Sequence, residues 1–184
     1  EASYLLGNVL RETGRLREAV DAYRQAITLN PVYIEALGNL GACLTVLGDI
    51  QAAAATLNRA VLLMPDSPQI LCNLGRILER DGRFAEALDR YERALKHAPG
   101  FIDAASYAAA LHEKAGRLQE AEALVAAYLP RQPESVQLLL VAAKLARRKK
   151  ETDAAIALLE RVLGLAGQAG ETSEMHMLLG QLYD

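Results

Sequence analysis

One fixed repeat period constrains this chain more than any other feature. The stretch from Pro68 to Phe101 carries Leu74-Gly75, Gly82, Ala87, Tyr91, Ala94 and Pro99. Moved back by one period, the distance from Gly82 to Gly48, it lands on Leu40-Gly41, Gly48, Ala53, Ala60 and Pro65. Moved back again, it lands on Leu6-Gly7, Gly14, Ala19, Tyr23, Ala26 and Pro31. Moved forward, it meets Gly116, Ala121 and Pro133. A fixed period held over four units marks a repeat architecture, in which each unit buries its apolar face only against its neighbours.

Each unit reads as two helical patterns split by a turn. In the first, Leu5, Leu6, Val9 and Leu10 mark one helix face, Gly14-Arg15-Leu16 forms the turn, and Glu18 to Leu29 forms a second helix. Ala19 and Ala26 are seven residues apart, two turns along one face. Pro31 then stops the helix, because it lacks an N–H and clashes with the preceding turn. In the second unit Asp66-Ser67-Pro68 supplies a capping residue ahead of a proline at the next helix's first position. The expected boundaries are residues 1–33, 34–67, 68–101 and 102–135, a degenerate fifth unit at 136–172, and a first helix of a sixth unit, or a capping helix, at 173–184.

The later units depart from the pattern. In the fourth, Ala108-Ala109 replaces Leu-Gly, His112 stands where a large apolar residue is usual, and Tyr128 replaces the small alanine, so local repacking is expected. In the fifth, Lys150 replaces the turn glycine and Gly167 falls where proline would be. The run Gly164 to Gly170 reads as a linker, since no Lys-Ser or Lys-Thr follows it to make a phosphate loop. Ser173 is the expected cap of the last helix. The first residue is Glu rather than Met, and both ends fall inside helical patterns, so the chain reads as a fragment of a longer protein.

The pattern resembles the tetratricopeptide repeat, a helix-turn-helix of about 34 residues with small residues at fixed interior positions and a proline after the second helix. The resemblance implies an all-α, right-handed superhelical solenoid of antiparallel helix pairs. Its implied role is a non-enzymatic scaffold for protein–protein interaction, holding a peptide or helix in a concave groove lined by the first helix of each unit. Carried over from the family's groove positions, the first unit offers Tyr4, Leu5 and Asn8, the second Glu35, Gly38, Asn39, Ala42 and Thr45, and the third Gln69, Cys72, Asn73, Arg76, Glu79 and Arg80. The fourth offers Asp103, Ser106, Tyr107, Ala110, Glu113 and Lys114; the fifth offers Gln137, Leu140, Val141, Lys144, Arg147 and Arg148. The residues selected from these as partner-binding are Asn39, Asn73, Arg76, Arg80, Tyr107, Lys114, Lys144 and Arg148.

Asn39 and Asn73 share one register position in adjacent units, and an amide side chain can pair with either group of a peptide backbone. Such a ladder resembles that of the peptide-binding solenoid of O-linked N-acetylglucosamine transferases. The family's carboxylate clamp for chaperone C-termini is a poor match: Asn8 and Asn39 fit it, but Tyr4, Gln69 and Asn73 stand where its three cations belong. Without them a carboxylate loses its charge-assisted bonds.

Other chemistry finds little support. His97, His112 and His176 have no His or Cys three or four residues away, so no helical metal pair forms. His112 reads as a core histidine, and His97 suits the last turn of a helix. No catalytic motif and no cofactor site is expected. Arg147-Arg148-Lys149-Lys150 reads either as solvated cations at a helix C-terminus or, with Lys144 on the same face, as a basic patch for an acidic partner segment. The chain has 20 Lys plus Arg against 23 Asp plus Glu, a net charge of -3, which argues against a general nucleic-acid binder. No apolar run reaches the roughly 18 residues of a membrane span. Cys43 and Cys72 point in different directions and are expected as buried free thiols, which leans towards a reducing, cytoplasmic compartment. Two alternatives stay open: the recruiting arm of a larger enzyme, such as a sulfotransferase or glycosyltransferase fusion, and a solenoid that self-associates through its open ends.

Overall fold

The computed structural model describes residues 1–166, and over them the chain is all-α. The expected helix at 173–184, with its cap Ser173 and with His176, lies outside the described residues, as do Gly167 and Gly170. Ten helices are present among the described residues, and they fall into two compact units, residues 1–101 and residues 102 onward.

Unit 1 contains α1 (Ala2–Glu12), α2 (Leu16–Leu29), α3 (Ile34–Leu47), α4 (Ile50–Leu63), α5 (Pro68–Arg80) and α6 (Phe84–His97). These form three helix pairs, and α2 packs on α3, α4 on α5, and α3 on α5. Its core runs continuously through Leu10, Val20, Tyr23, Leu37, Leu40, Leu44, Leu57 and Ile70, with small Ala19, Ala26, Ala36, Ala53 and Ala60 between them. Ala19, Ala26, Ala53 and Ala60 sit at positions the repeat period singles out, and each is at most 1% exposed. Unit 2 contains α7 (Ile102–Lys114), α8 (Leu118–Tyr128), α9 (Val136–Arg148) and α10 (Thr152–Ala166), again in pairs, with α9 packing on both α7 and α8.

The turns inside the pairs obey the period most strictly. Gly14, Gly48, Gly82 and Gly116 all take left-handed backbone, at φ between 75° and 84°. Glycine adopts that region without a Cβ penalty and so ends a helix sharply. Lys150 stands one period after Gly116 and keeps the same turn at φ 63°. The geometry is set by the helices on either side, and the lysine bears the strain.

Two sequence expectations change. Ser67 precedes α5 with Pro68 at the first helical position, but its side chain makes no capping bond. Gly164, read as the start of a linker, lies inside α10. A glycine in a helix interior costs about 1 kcal/mol relative to alanine, and the packing of Leu158, Val162, Leu163 and Leu165 around Leu139 carries α10 past it. Cys43 and Cys72 are free and buried. Tyr128 is buried where its counterparts are alanines, with the Arg131 guanidinium 5.4 Å from its ring centroid.

Candidate functional site

The first helices of unit 1 are tied to one another by side-chain amides. On α1, Tyr4, Asn8, Arg11 and Glu12 recur at intervals of four, three and one, which puts them on one face. Asn39 Nδ2 of α3 donates to Asn8 Oδ1 at 3.0 Å. One repeat on, Asn73 Nδ2 of α5 donates to the main-chain carbonyl of Gly38 in α3 at 3.1 Å. The Arg80 guanidinium, two turns along α5, donates to the Thr45 carbonyl in the last turn of α3. The last carbonyls of a helix have no partner within it, and a cation there is favoured by the helix dipole.

A second support comes from beneath. The Tyr23 ring passes under α1 at Gly7, where an added Cβ would come within 2.5 Å of the ring. Its hydroxyl emerges on the α1 face and donates to Asn8 Oδ1 at 2.8 Å. Burial pushes that hydroxyl up to about 12. Asn8 Oδ1 therefore accepts twice, from Tyr23 and from Asn39, which uses both of its lone pairs. Tyr91 repeats the arrangement under Gly75, with its hydroxyl donating to Glu79 Oε2 at 3.1 Å.

These ties frame a half-open cleft of about 440 Å³. Its walls are Tyr4, Asn8, Arg11 and Glu12 from α1, Ile34, Glu35, Gly38 and Asn39 from α3, and Met64, Ser67, Gln69 and Ile70 from α5 and the segment before it. Tyr4 also packs against Tyr33, with ring centroids 4.8 Å apart. Burial, Tyr4, Glu35 and Glu1 together push the Tyr33 hydroxyl above its ordinary value. The floor is polar and hydrogen-bonded, the sides are partly apolar, and Arg11, Glu12 and Glu35 bring charge to it.

Of the residues selected from sequence, Asn39 lines this cleft. Asn73 is 3% exposed and turned to the α3 backbone, Arg76 is half-buried, and Arg80 reaches α3. The other four lie in unit 2. Tyr107 and Lys114 are on α7, half-buried and exposed; Lys144 and Arg148 are on α9, likewise half-buried and exposed. Arg148 Nε meets Glu113 Oε1 at 2.7 Å, and Lys149 Nζ meets Glu122 Oε1 at 2.9 Å. Two cations of the basic run thus face carboxylates of unit 2 itself. Arg11, Glu12, Ile34, Met64, Ser67 and Ile70 also line the unit 1 cleft, outside the groove residues that the resemblance offers for these repeats. The repeated face Tyr4, Asn8, Arg11 and Glu12 was the signal for the first two, whereas Met64 and Ser67 lie between helices, where no periodicity points.

The remaining histidines have structural surroundings. His97 Nε2 lies 3.2 Å from Asp66 Oδ1, which Arg93 also approaches, and His112 is buried in α7. Among the described residues, no helix is long and apolar enough to cross a membrane.

Comparison with known proteins agrees with the geometry. A family model described as a TPR repeat matches residues 7–45, and two described as tetratricopeptide repeat match residues 32–99 and 78–145. No curated protein sequence matches the chain. Among solved structures, a thermophilic TPR protein of Thermus thermophilus is 20% identical with a TM-score of 0.78, over 99% of this chain and 97% of that one. The APC/C hetero-tetramer Cut9–Hcn1 is 18% identical with a TM-score of 0.88, over 100% of this chain and 36% of that one. YrrB, described as a TPR protein with an unusual peptide-binding site, is 19% identical with a TM-score of 0.66, over 98% of this chain and 90% of that one. At such identities the likeness is one of fold.

Proposed function

The chain belongs to the tetratricopeptide repeat family, and from that premise we propose that it is a protein-interaction scaffold whose unit 1 cleft holds an extended segment of a partner protein. The observation that carries this reading is the cleft itself: a half-open space of about 440 Å³ on the first-helix face, with a hydrogen-bonded amide floor and apolar sides. Binding sites commonly combine an apolar lining with a few fixed polar groups in this way. The peptide-binding site named for YrrB lends support by analogy of fold.

The candidate residues divide by role. Asn39, Asn73 and Arg80 hold the first helices of unit 1 in place around the cleft, and Asn39 also faces it. Arg76 extends the contact face along α5. Tyr107, Lys114 and Lys144, with Arg148 beside them on Glu113, offer a separate face on unit 2 for another partner segment.

The test is a selection of random peptides displayed on phage against the purified chain, followed by titration of the enriched peptides. Arg11→Ala combined with Gln69→Ala strips two exposed cleft side chains that make no hydrogen bond within the described residues. Peptides whose affinity falls about tenfold or more in that variant support the cleft. Failure to enrich any peptide, or affinities that ignore the double variant, would overturn it. An Asn39→Ala/Asn73→Ala variant is less informative, because both amides tie helices together.

A second reading has its own observation. Leu5, Leu6 and Val9 of α1 are 55%, 53% and 57% exposed. Apolar side chains so displayed on one helix favour association of copies through α1. Sedimentation that changes with concentration, and ceases to change in Leu6→Glu, would support self-association.

A further inference from the structure

Unit 1 contains one helical glycine that its packing does not explain. Gly7, Gly41 and Gly75 are accounted for by close approach, since a Cβ at each would lie 2.4–2.5 Å from Tyr23, Leu57 or Tyr91. Gly48 is accounted for by its φ of 84°. Gly38 meets neither condition. It lies within α3, and a Cβ there would meet nothing within 4 Å beyond its own chain neighbours and the helix backbone around it. The bond from Asn73 goes to its carbonyl, which any residue would supply. Glycine at such a position costs a helix about 1 kcal/mol relative to alanine. What the missing side chain leaves is space, and that space opens into the cleft.

The surroundings of Gly38 narrow what would fill it. Ile34 is one turn earlier on the same face of α3, Ile70 comes from α5, and Tyr4 comes from α1. Asn8 has both acceptor positions of its Oδ1 occupied, so its Nδ2 hydrogens are what it offers to a ligand. Charge adds a direction. Arg11 and Glu12 are sequence neighbours of opposite sign, which leaves Glu35 as the excess charge of the cleft. Among the described residues none of the three takes part in a salt bridge. The N-terminus of α3 offsets Glu35 only in part, because a helix end carries about half a unit charge.

We propose that Gly38 is the specificity-determining floor of the cleft. An extended partner segment seats a large apolar side chain over Gly38, between Ile34, Ile70 and Tyr4, and places an adjacent Lys or Arg against Glu35. Asn8 Nδ2 donates to a main-chain carbonyl of the same segment. This deepens the scaffold reading and rests on it.

The experiment uses the full chain and the peptides enriched by phage display on it. The enriched sequences are expected to carry Leu, Met or Phe beside Lys or Arg. Gly38→Leu fills the floor and is expected to weaken them about tenfold or more, while its melting temperature stays at or above that of the parent. Gly38→Ala, the milder change, weakens them by about threefold. Glu35→Gln weakens the same peptides by about threefold, and the loss shrinks at high salt. Peptides that are lost in the Arg11→Ala/Gln69→Ala variant yet bind Gly38→Ala and Gly38→Leu unchanged would overturn this inference and leave the scaffold reading intact. Enrichment of acidic peptides would also overturn it. If no peptide is enriched, the scaffold reading falls, and the inference with it.

Discussion

In unit 1 the first helix of every pair presents glycine to its partner helix; in unit 2 the same register carries alanine. Gly41 faces Leu57 in unit 1, and Ala143 faces Leu159 in unit 2, so one methyl group separates two otherwise alike contacts. Leucine has enough rotamer freedom to fit either neighbour. Tyrosine is different. Its flat ring slides under α1 and α5 only because Gly7 and Gly75 lack a Cβ, and its hydroxyl then reaches the groove face, where it holds Asn8 or Glu79. At that register unit 2 has Val125 and Leu159, which bring no hydroxyl. Glu113, at the register of Glu79, is held sideways instead, by Arg148. The fold tolerates either residue, whereas the polar floor of the unit 1 cleft needs the glycine.

The largest expected effect tests that asymmetry. In Gly75→Ala the new methyl would lie 2.4 Å from the ring of Tyr91, a fully buried side chain. Overpacking of a closed core costs about 1–3 kcal/mol, and a rigid ring places this site at the upper end. The reverse change in unit 2, Ala109→Gly, should cost only the propensity difference of about 1 kcal/mol. Urea unfolding of both variants measures the contrast; equal losses would erase it.

Next in size is the sideways tie of unit 2. Glu113 has a side chain only 11% exposed, against 45% for Arg148. Arg148→Ala leaves that carboxylate without its cation, at a cost of about 1–3 kcal/mol. Adding Glu113→Gln should recover much of the loss, because a neutral amide is easier to bury. A double variant no more stable than the single one would show that the pair contributes through packing alone.

How far these differences can be read in the sequence depends on whether they follow the period. The paired helices, the interior alanines and the glycine turns all recur in step, as Gly14, Gly48, Gly82 and Gly116 do, so the fold was legible from spacing. The departures have local causes. Pro130 stands two residues after the end of α8, which is 11 residues long where α2, α4 and α6 are 14. Proline ends a helix near the residue before it, and this one falls off the period, just ahead of the regular Pro133. The cleft was legible only in part. Tyr4, Asn8, Glu35, Gly38, Asn39 and Gln69 sit at the groove positions that the resemblance implies. The pairing of Asn39 with Asn8, and of Asn73 with Gly38, depends on how far one helix slides along the next. Nothing in a single sequence specifies that offset.

A smaller effect tests the turn that lost its glycine. Left-handed backbone costs a residue with a Cβ roughly 1–2 kcal/mol. Lys150→Gly should therefore stabilise the chain by about 1 kcal/mol, and Gly116→Ala should destabilise it by a similar amount, although the two positions are equivalent in register. Denaturant midpoints at constant slope give both numbers. A Lys150→Gly variant no more stable than the parent would mean that the lysine side chain makes contacts worth as much as the strain.

The last effect leaves stability at neutral pH flat and is read only as a slope in base. Burial raises the Tyr23 hydroxyl to about 12, from an ordinary value of 10.0. The folded state thus holds that proton after the unfolded state has released it. Its contribution is complete below pH 10 and is lost as the pH rises towards 12. Tyr23→Phe keeps the ring under Gly7 and removes the titrating group, so unfolding free energy measured between those two pH values should fall less steeply in the variant. The same variant frees one acceptor position on Asn8. If the slope is unchanged, the hydroxyl is as well solvated in the folded chain as in the unfolded one, and the floor of the cleft is then wetter than its hydrogen bonds imply.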